Sequence, residues 1–161
     1  MPNFNAYLSL GSNLGDRRFH LDEALRRLAA TPGLRIVCAS GIYETTPVGV
    51  TGQGDYLNAV VEVETMLSAP ELLACCLAIE TACGRTRVER WSPRTLDIDL
   101  LWHSGCPACN TPGLTLPHPR MTERAFVMVP LSVIAPDLVI GALTAREHAT
   151  RLGTTGVRLV A

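Results

Sequence analysis

The sequence predicts an α+β fold, a ferredoxin-like sandwich in which a mainly antiparallel sheet carries helices packed on it. Apolar strand-like stretches and stretches with helical leucine spacing alternate in the order β-α-β-β-α-β, with additions at the C-terminal end. Clusters of Gly, Pro, Asn and Thr punctuate them. The length of 161 residues, with 47% hydrophobic and 18% charged, suits one domain able to bury a core, and neither a linker nor a repeat divides residues 1–161.

Ala6 to Leu10 reads as a short apolar strand ending in Gly11-Ser12-Asn13-Leu14-Gly15-Asp16, a tight turn in which Gly15 or Asp16 opens the next element. Leu21, Leu25 and Leu28 recur at helical spacing and predict a helix from Asp16 to Ala30, stopped by Thr31-Pro32-Gly33. Ile36 to Tyr43 is expected to be a second strand, followed by Thr45-Thr46-Pro47-Val48-Gly49 and a glycine-rich loop. Tyr56 to Thr65 alternates and is rich in valine, which predicts a third strand. Ser68-Ala69-Pro70-Glu71 carries the start signals of a helix that runs to Cys83, with proline at an early position. An arginine-rich loop, Gly84 to Arg94, leads into a strand from Thr95 to His103. A short strand at Leu114–Leu116 and helices at Phe126–Ile134 and Thr144–Leu152 complete the expected elements.

Composition excludes several kinds of chemistry. The formal net charge is −1, against general electrostatic capture of nucleic acid or acidic lipid. All 14 basic residues are arginine, so no lysine Schiff base and no Gly-Lys-Ser/Thr phosphate loop exists. Phosphate must then be held by arginine forks, histidine, backbone N–H groups or a metal. No signal peptide and no membrane-length apolar run is evident, which predicts a cytoplasmic protein with reduced cysteines. Cys75, Cys76 and Cys83 read as small core residues of a helix; the Cys106-Pro107-Ala108-Cys109 turn, with His103 and His118 on either side, is expected to be a plain loop because a second cysteine pair at zinc spacing is lacking, metal or redox use being the alternative.

The strongest local signal is Asp97-Ile98-Asp99. Strand side chains alternate, so both aspartates share one face while Leu96, Ile98 and Leu100 share the other. Adjacent carboxylates repel and need compensation; a divalent cation supplies it, and a solvated face with arginine neighbours is the alternative. Arg85, Arg87, Arg90 and Arg94 crowd just upstream with Trp91, the composition of a polyphosphate site. Pro117-His118-Pro119-Arg120 and Arg124 offer further donors, the prolines fixing the histidine's backbone. Tyr56 and Asn58 alternate onto one strand face, an aromatic plate beside an amide, with Phe126 as a possible second plate; ordinary core packing is the other reading of both rings.

Together these segments resemble the 6-hydroxymethyl-7,8-dihydropterin pyrophosphokinase family. The matching stretches are Gly11 to Gly15, Tyr43 to Gly49, Asp55 to Ala59, Glu80, Gly84 to Arg87, Arg90 to Asp99 and Leu116 to Arg120, in order along nearly the whole chain. The resemblance implies transfer of the β,γ-diphosphate of ATP, the co-substrate, to the pterin's hydroxymethyl oxygen, with release of AMP, in folate biosynthesis. It implies that Asp97 and Asp99 hold two magnesium ions and, with Arg85 and Arg94, form the catalytic set. It implies that Tyr56 and Phe126 sandwich the pterin while Thr45, Val48 and Asn58 bind its edge. Glu80, Arg87, Arg90, Trp91, Thr115, His118 and Arg124 would then approach the nucleotide.

Two other readings compete. Another magnesium-dependent phosphoryl or nucleotidyl transfer enzyme would use Asp97 and Asp99 without a pterin sandwich. A non-catalytic ferredoxin-like binding module would have little need of so dense an acid–arginine constellation.

Overall fold

The computed structural model describes residues 3–46, 55–84 and 95–161. In chain order the elements are β1 (Phe4–Ser12), α1 (Arg17–Ala29), β2 (Leu34–Ala39), β3 (Tyr43–Thr45), β4 (Tyr56–Thr65), α2 (Ala69–Ala82), β5 (Asp97–His103), β6 (Cys109–Thr111) and β7 (Leu114–Leu116). A 3-10 turn, Met121–Glu123, then precedes α3 (Ala125–Ile134), β8 (Val139–Ile140), β9 (Leu143–Thr144), α4 (Ala145–Leu152) and β10 (Val157–Leu159).

The main sheet runs β10-β3-β4-β1-β5, with β2 also on β4, and every pairing is antiparallel. This is the expected ferredoxin-like α+β arrangement, in which β4 separates β1 from the strand that follows α1. Alternation splits the sheet's side chains between two cores. Ala6, Leu8 and Leu10 of β1, Val61 and Val63 of β4, and Ile98 and Leu100 of β5 point to a first core closed by Leu21, Leu28, Leu72 and Ile79 of α1 and α2. Tyr7, Val60 and Leu101 point the other way, to a second core closed by Val127, Met128 and Leu131 of α3 and Ala145 of α4. The C-terminal additions therefore roof the face that α1 and α2 leave bare.

Local chemistry places the helices. Asp16 caps α1, its Oδ1 accepting from the Phe19 N–H at 3.0 Å. Ser68 and Glu71 form a reciprocal capping box at α2, and Thr144 and Glu147 form another at α4.

Several expected boundaries differ. The strand expected over Ile36–Tyr43 is divided into β2 and β3, which share one edge of β4. Between them Ser40 Oγ takes the place of a ladder carbonyl, accepting from Val60 N–H at 2.9 Å while Ser40 N–H donates to Val60 O at 2.8 Å. Gly11 and Ser12, expected in a turn, belong to β1, and β5 begins at Asp97 rather than Thr95. The expected elements also lacked β6, β8, β9 and β10, of two or three residues each, too short to carry a period. Cys76 is buried, as expected of a core residue, but Cys75 and Cys83 are only half-buried beside that core.

Candidate active site

The ladder assembles the chemistry. Gly11 of β1 lies opposite Asn58 of β4 on one side and Asp97 of β5 on the other. Two residues along, Ser9 lies between Val60 and Asp99. Asn58, Gly11 and Asp97 thus form one row and Val60, Ser9 and Asp99 the next, on the sheet face that α3 and α4 roof at its other end. Asp97 and Asp99 share this face, as alternation requires, and are half-buried rather than sealed in the core.

Asn58 is buried, and its Nδ2 donates to Thr45 Oγ1 at 2.5 Å, a contact made possible by β3 lying alongside β4. A Cβ placed on Gly11 would sit 2.8 Å from Asn58 Oδ1 and 3.6 Å from Tyr56 Cδ1, so both side chains lie over the backbone of Gly11. Tyr56 is half-buried.

A bulge in β5 builds the other wall. The register against β1 shifts between Tyr7 and Leu8, leaving Leu101 as the extra residue on β5. The Leu101 carbonyl accepts from the His118 N–H at 2.9 Å, which ties the Pro117-His118-Pro119 turn to the strand bearing the aspartates. His118 Nδ1 accepts from Arg120 N–H at 3.3 Å, so the neutral ring carries its proton on Nε2. Burial lowers the His118 pKa below the ordinary histidine value; the Arg124 charge adds to this, Asp97 opposes it and Arg120 adds a smaller push downward.

Arg124 starts α3, its carbonyl accepting from the N–H groups of Val127 and Met128 at 3.0 and 2.9 Å. Its Nη1 lies 3.9 Å from Asp99 Oδ2, and its guanidinium stands 5.6 Å from the centre of the Phe126 ring. Arg124 therefore links the aspartate pair to a half-buried aromatic plate. Glu80 is directed elsewhere: it is buried, and its Oε2 accepts from the Ile98 N–H at 2.7 Å, at the backbone between the two aspartates. Thr115 is exposed on β7, whose Leu114 and Leu116 are buried.

The structure thus brings together Thr45, Tyr56, Asn58, Asp97, Asp99, His118, Arg124 and, through Arg124, Phe126. Val48, Arg85, Arg87, Arg90, Trp91 and Arg94 lie outside the described residues. Sequence reasoning missed Gly11 as part of the site and the Leu101 bulge that seats His118. A signal for the first was present: a glycine continuing an apolar alternation marks close approach of another group. Among the described residues no group of three His, Cys, Asp or Glu side chains could hold a metal, so Cys106 and Cys109 with His103 form no zinc site there. His103 uses both ring nitrogens, on Leu67 O and Gly105 N–H.

A sequence model of the 7,8-dihydro-6-hydroxymethylpterin-pyrophosphokinase family matches residues 7–136. The chain belongs to that family. It is similar to a 2-amino-4-hydroxy-6-hydroxymethyldihydropteridine pyrophosphokinase of Methylorubrum extorquens, 50% identical over 155 residues that cover 96% of this chain and 98% of the relative. Another, from Bacillus subtilis, is 44% identical over 133 residues, covering 83% of this chain and 79% of the relative. Among solved structures, an HPPK-DHPS crystallised in complex with substrates superposes with a TM-score of 0.75 at 13% identity, over 94% of this chain and 43% of that chain. Wild-type Plasmodium falciparum HPPK-DHPS superposes with a TM-score of 0.70 at 15% identity, over 93% of this chain and 44% of that chain. The chain spans less than half the length of those two structures, and at such identities their likeness concerns the fold of this pyrophosphokinase family member.

Proposed function

We propose that the chain, as a single domain, transfers diphosphate from ATP to the hydroxymethyl group of 6-hydroxymethyl-7,8-dihydropterin, the reaction of its family in folate synthesis, on the sheet face built by Asn58, Gly11 and Asp97. The observation that supports this siting best is the row itself. An amide and an aromatic plate suited to a flat heterocycle stand across a single intervening strand, β1, from a carboxylate pair suited to a cation and phosphate.

In this reading Tyr56 and Phe126 flank the pterin ring, while Asn58, oriented by Thr45, reads its edge together with Val48. Asp97 and Asp99, both half-buried and on one face, would hold a hard cation, for which phosphate and water oxygens would be the further ligands. Two magnesium ions are the proposed number, and when bound they neutralise charge on the phosphate oxygens. His118 presents a neutral Nε2–H donor and Arg124 a guanidinium beside Asp99, both suited to phosphate oxygens. Arg85 and Arg94 join this catalytic set, and Arg87, Arg90, Trp91 and Thr115 contact the nucleotide. Glu80 acts on the nucleotide site through the strand it braces.

The acceptor's hydroxymethyl oxygen bonds to the β-phosphorus as the bond from that phosphorus to the α,β-bridging oxygen breaks. AMP leaves with that electron pair, and the hydroxyl proton passes to water or a carboxylate. The residues contribute positioning and electrostatics rather than covalent chemistry.

The test is AMP formation from ATP, magnesium and 6-hydroxymethyl-7,8-dihydropterin, with Asp97→Ala as control. AMP should appear only with pterin and magnesium, and the variant should lose about a hundredfold or more. Pterin-independent AMP would favour another phosphoryl or nucleotidyl transfer enzyme, and full pterin-dependent activity in the variant would remove Asp97 from the site.

A further inference from the structure

Gly11 stands inside a strand, where glycine weakens pairing and packs nothing. Its φ is not positive, so left-handed backbone freedom does not explain it. The space above it does. A Cβ there would lie 2.8 Å from Asn58 Oδ1, inside van der Waals contact. Asn58 cannot simply swing aside, because it is 3% exposed and its Nδ2 is bound to Thr45 Oγ1. The ladder puts Asn58 on one flank of Gly11 and Asp97 on the other.

We propose that Gly11 is a positioning residue for diphosphate transfer: its missing side chain lets the Asn58 amide lie over β1, the strand that separates it from Asp97, holding the acceptor's ring edge in register with the phosphate side of the site. This rests on the pterin kinase reading above and adds a residue to it. A methyl at position 11 pushes Asn58 Oδ1 away, and the amide must then strain or lose its bond to Thr45. The fold itself has little at stake. The flanking Leu10 belongs to the first core, on the opposite face of β1, and alanine accepts extended backbone at least as well as glycine.

The experiment compares Gly11→Ala, Asn58→Ala and the double variant with the wild type. It reads the thermal midpoint, the Asn58 side-chain amide resonances by nitrogen-15 NMR, and KM for pterin and for ATP. In Gly11→Ala the Asn58 resonances should shift while the midpoint falls by no more than a few degrees, the cost of one buried hydrogen bond. Pterin KM should rise about tenfold, the scale of one lost buried hydrogen bond, while ATP KM stays within about twofold. In the Asn58→Ala background the same change should raise pterin KM by less than about twofold, because the two residues act as a unit.

Unmoved Asn58 resonances, an unchanged pterin KM, or an equal rise in both backgrounds overturns the proposal. A lowered midpoint with pterin and ATP kinetics falling in proportion overturns it in favour of a structural role. If the Asn58 resonances move but the wild type makes no AMP, the kinase reading fails while control of Asn58 by Gly11 stands.

Discussion

At the scale of single residues, His118 shows how the site sets charge. Its ring is pushed toward the neutral form by burial and by Arg124 and toward the charged form by Asp97. Replacing Arg124 with alanine should therefore raise the His118 pKa, and replacing Asp97 with asparagine should lower it further; NMR titration of the ring protons reads both. The folded pKa lies below the unfolded value of about 6.5, so the unfolded chain binds the extra proton first and this group's contribution to stability declines as pH falls through about 6.5. Glu80 offers a second test. Its buried carboxylate bonds to Ile98 N–H, and Glu80→Ala should cost about 2 kcal/mol in urea unfolding, with AMP formation reduced as the aspartates on either side shift. Asp97 and Asp99 were legible in the sequence because alternation alone puts them on one face. Gly11 was not, because its neighbours Ser12, Asn13 and Gly15 carry turn chemistry that hides the end of a strand.

At the scale of elements, the clearest agreement is β4, whose expected span from Tyr56 to Thr65 matches the observed one. It is a long β-branched stretch, with Val60, Val61 and Val63 all buried, and both of its long edges are used, by β1 on one side and by β2 and β3 on the other. α2 likewise begins where Ser68 and Glu71 announce it. Ser68→Ala removes one half of that capping box and should lower stability by about 1 kcal/mol, read by urea unfolding with an unchanged slope. Where reading failed, the missing information was a partner. The division between β2 and β3 depends on Ser40 meeting Val60, twenty positions away. β10 is three residues that, among the described residues, pair with β3 alone. The β5 bulge leaves only the adjacent pair Leu100-Leu101 as a trace in the sequence, because its register is defined against β1.

At the scale of the whole molecule, the two cores have different tasks. The first, under α1 and α2, stiffens the strands that carry the site. The second seats α3, and with it Arg124 and Phe126, over one end of the same sheet face. Leu131 is fully buried in that second core, and Leu131→Ala should cost about 2–5 kcal/mol by denaturant unfolding. If the second core positions Arg124 and Phe126, this variant should also lose AMP formation at temperatures where it remains folded; full activity there would separate the roof from the site. The sequence by itself determined the fold class, the two well-capped helices α1 and α2, the shared face of Asp97 and Asp99, and the family, because periodicity, caps and motifs are properties of neighbouring residues. Only the tertiary structure decided that Asn58, Gly11 and Asp97 lie in one row, that His118 hangs from the Leu101 bulge, and that α3 and α4 roof the second face. Those features are hydrogen bonds and contacts between segments far apart in the chain, and such pairings exist only once the sheet has assembled.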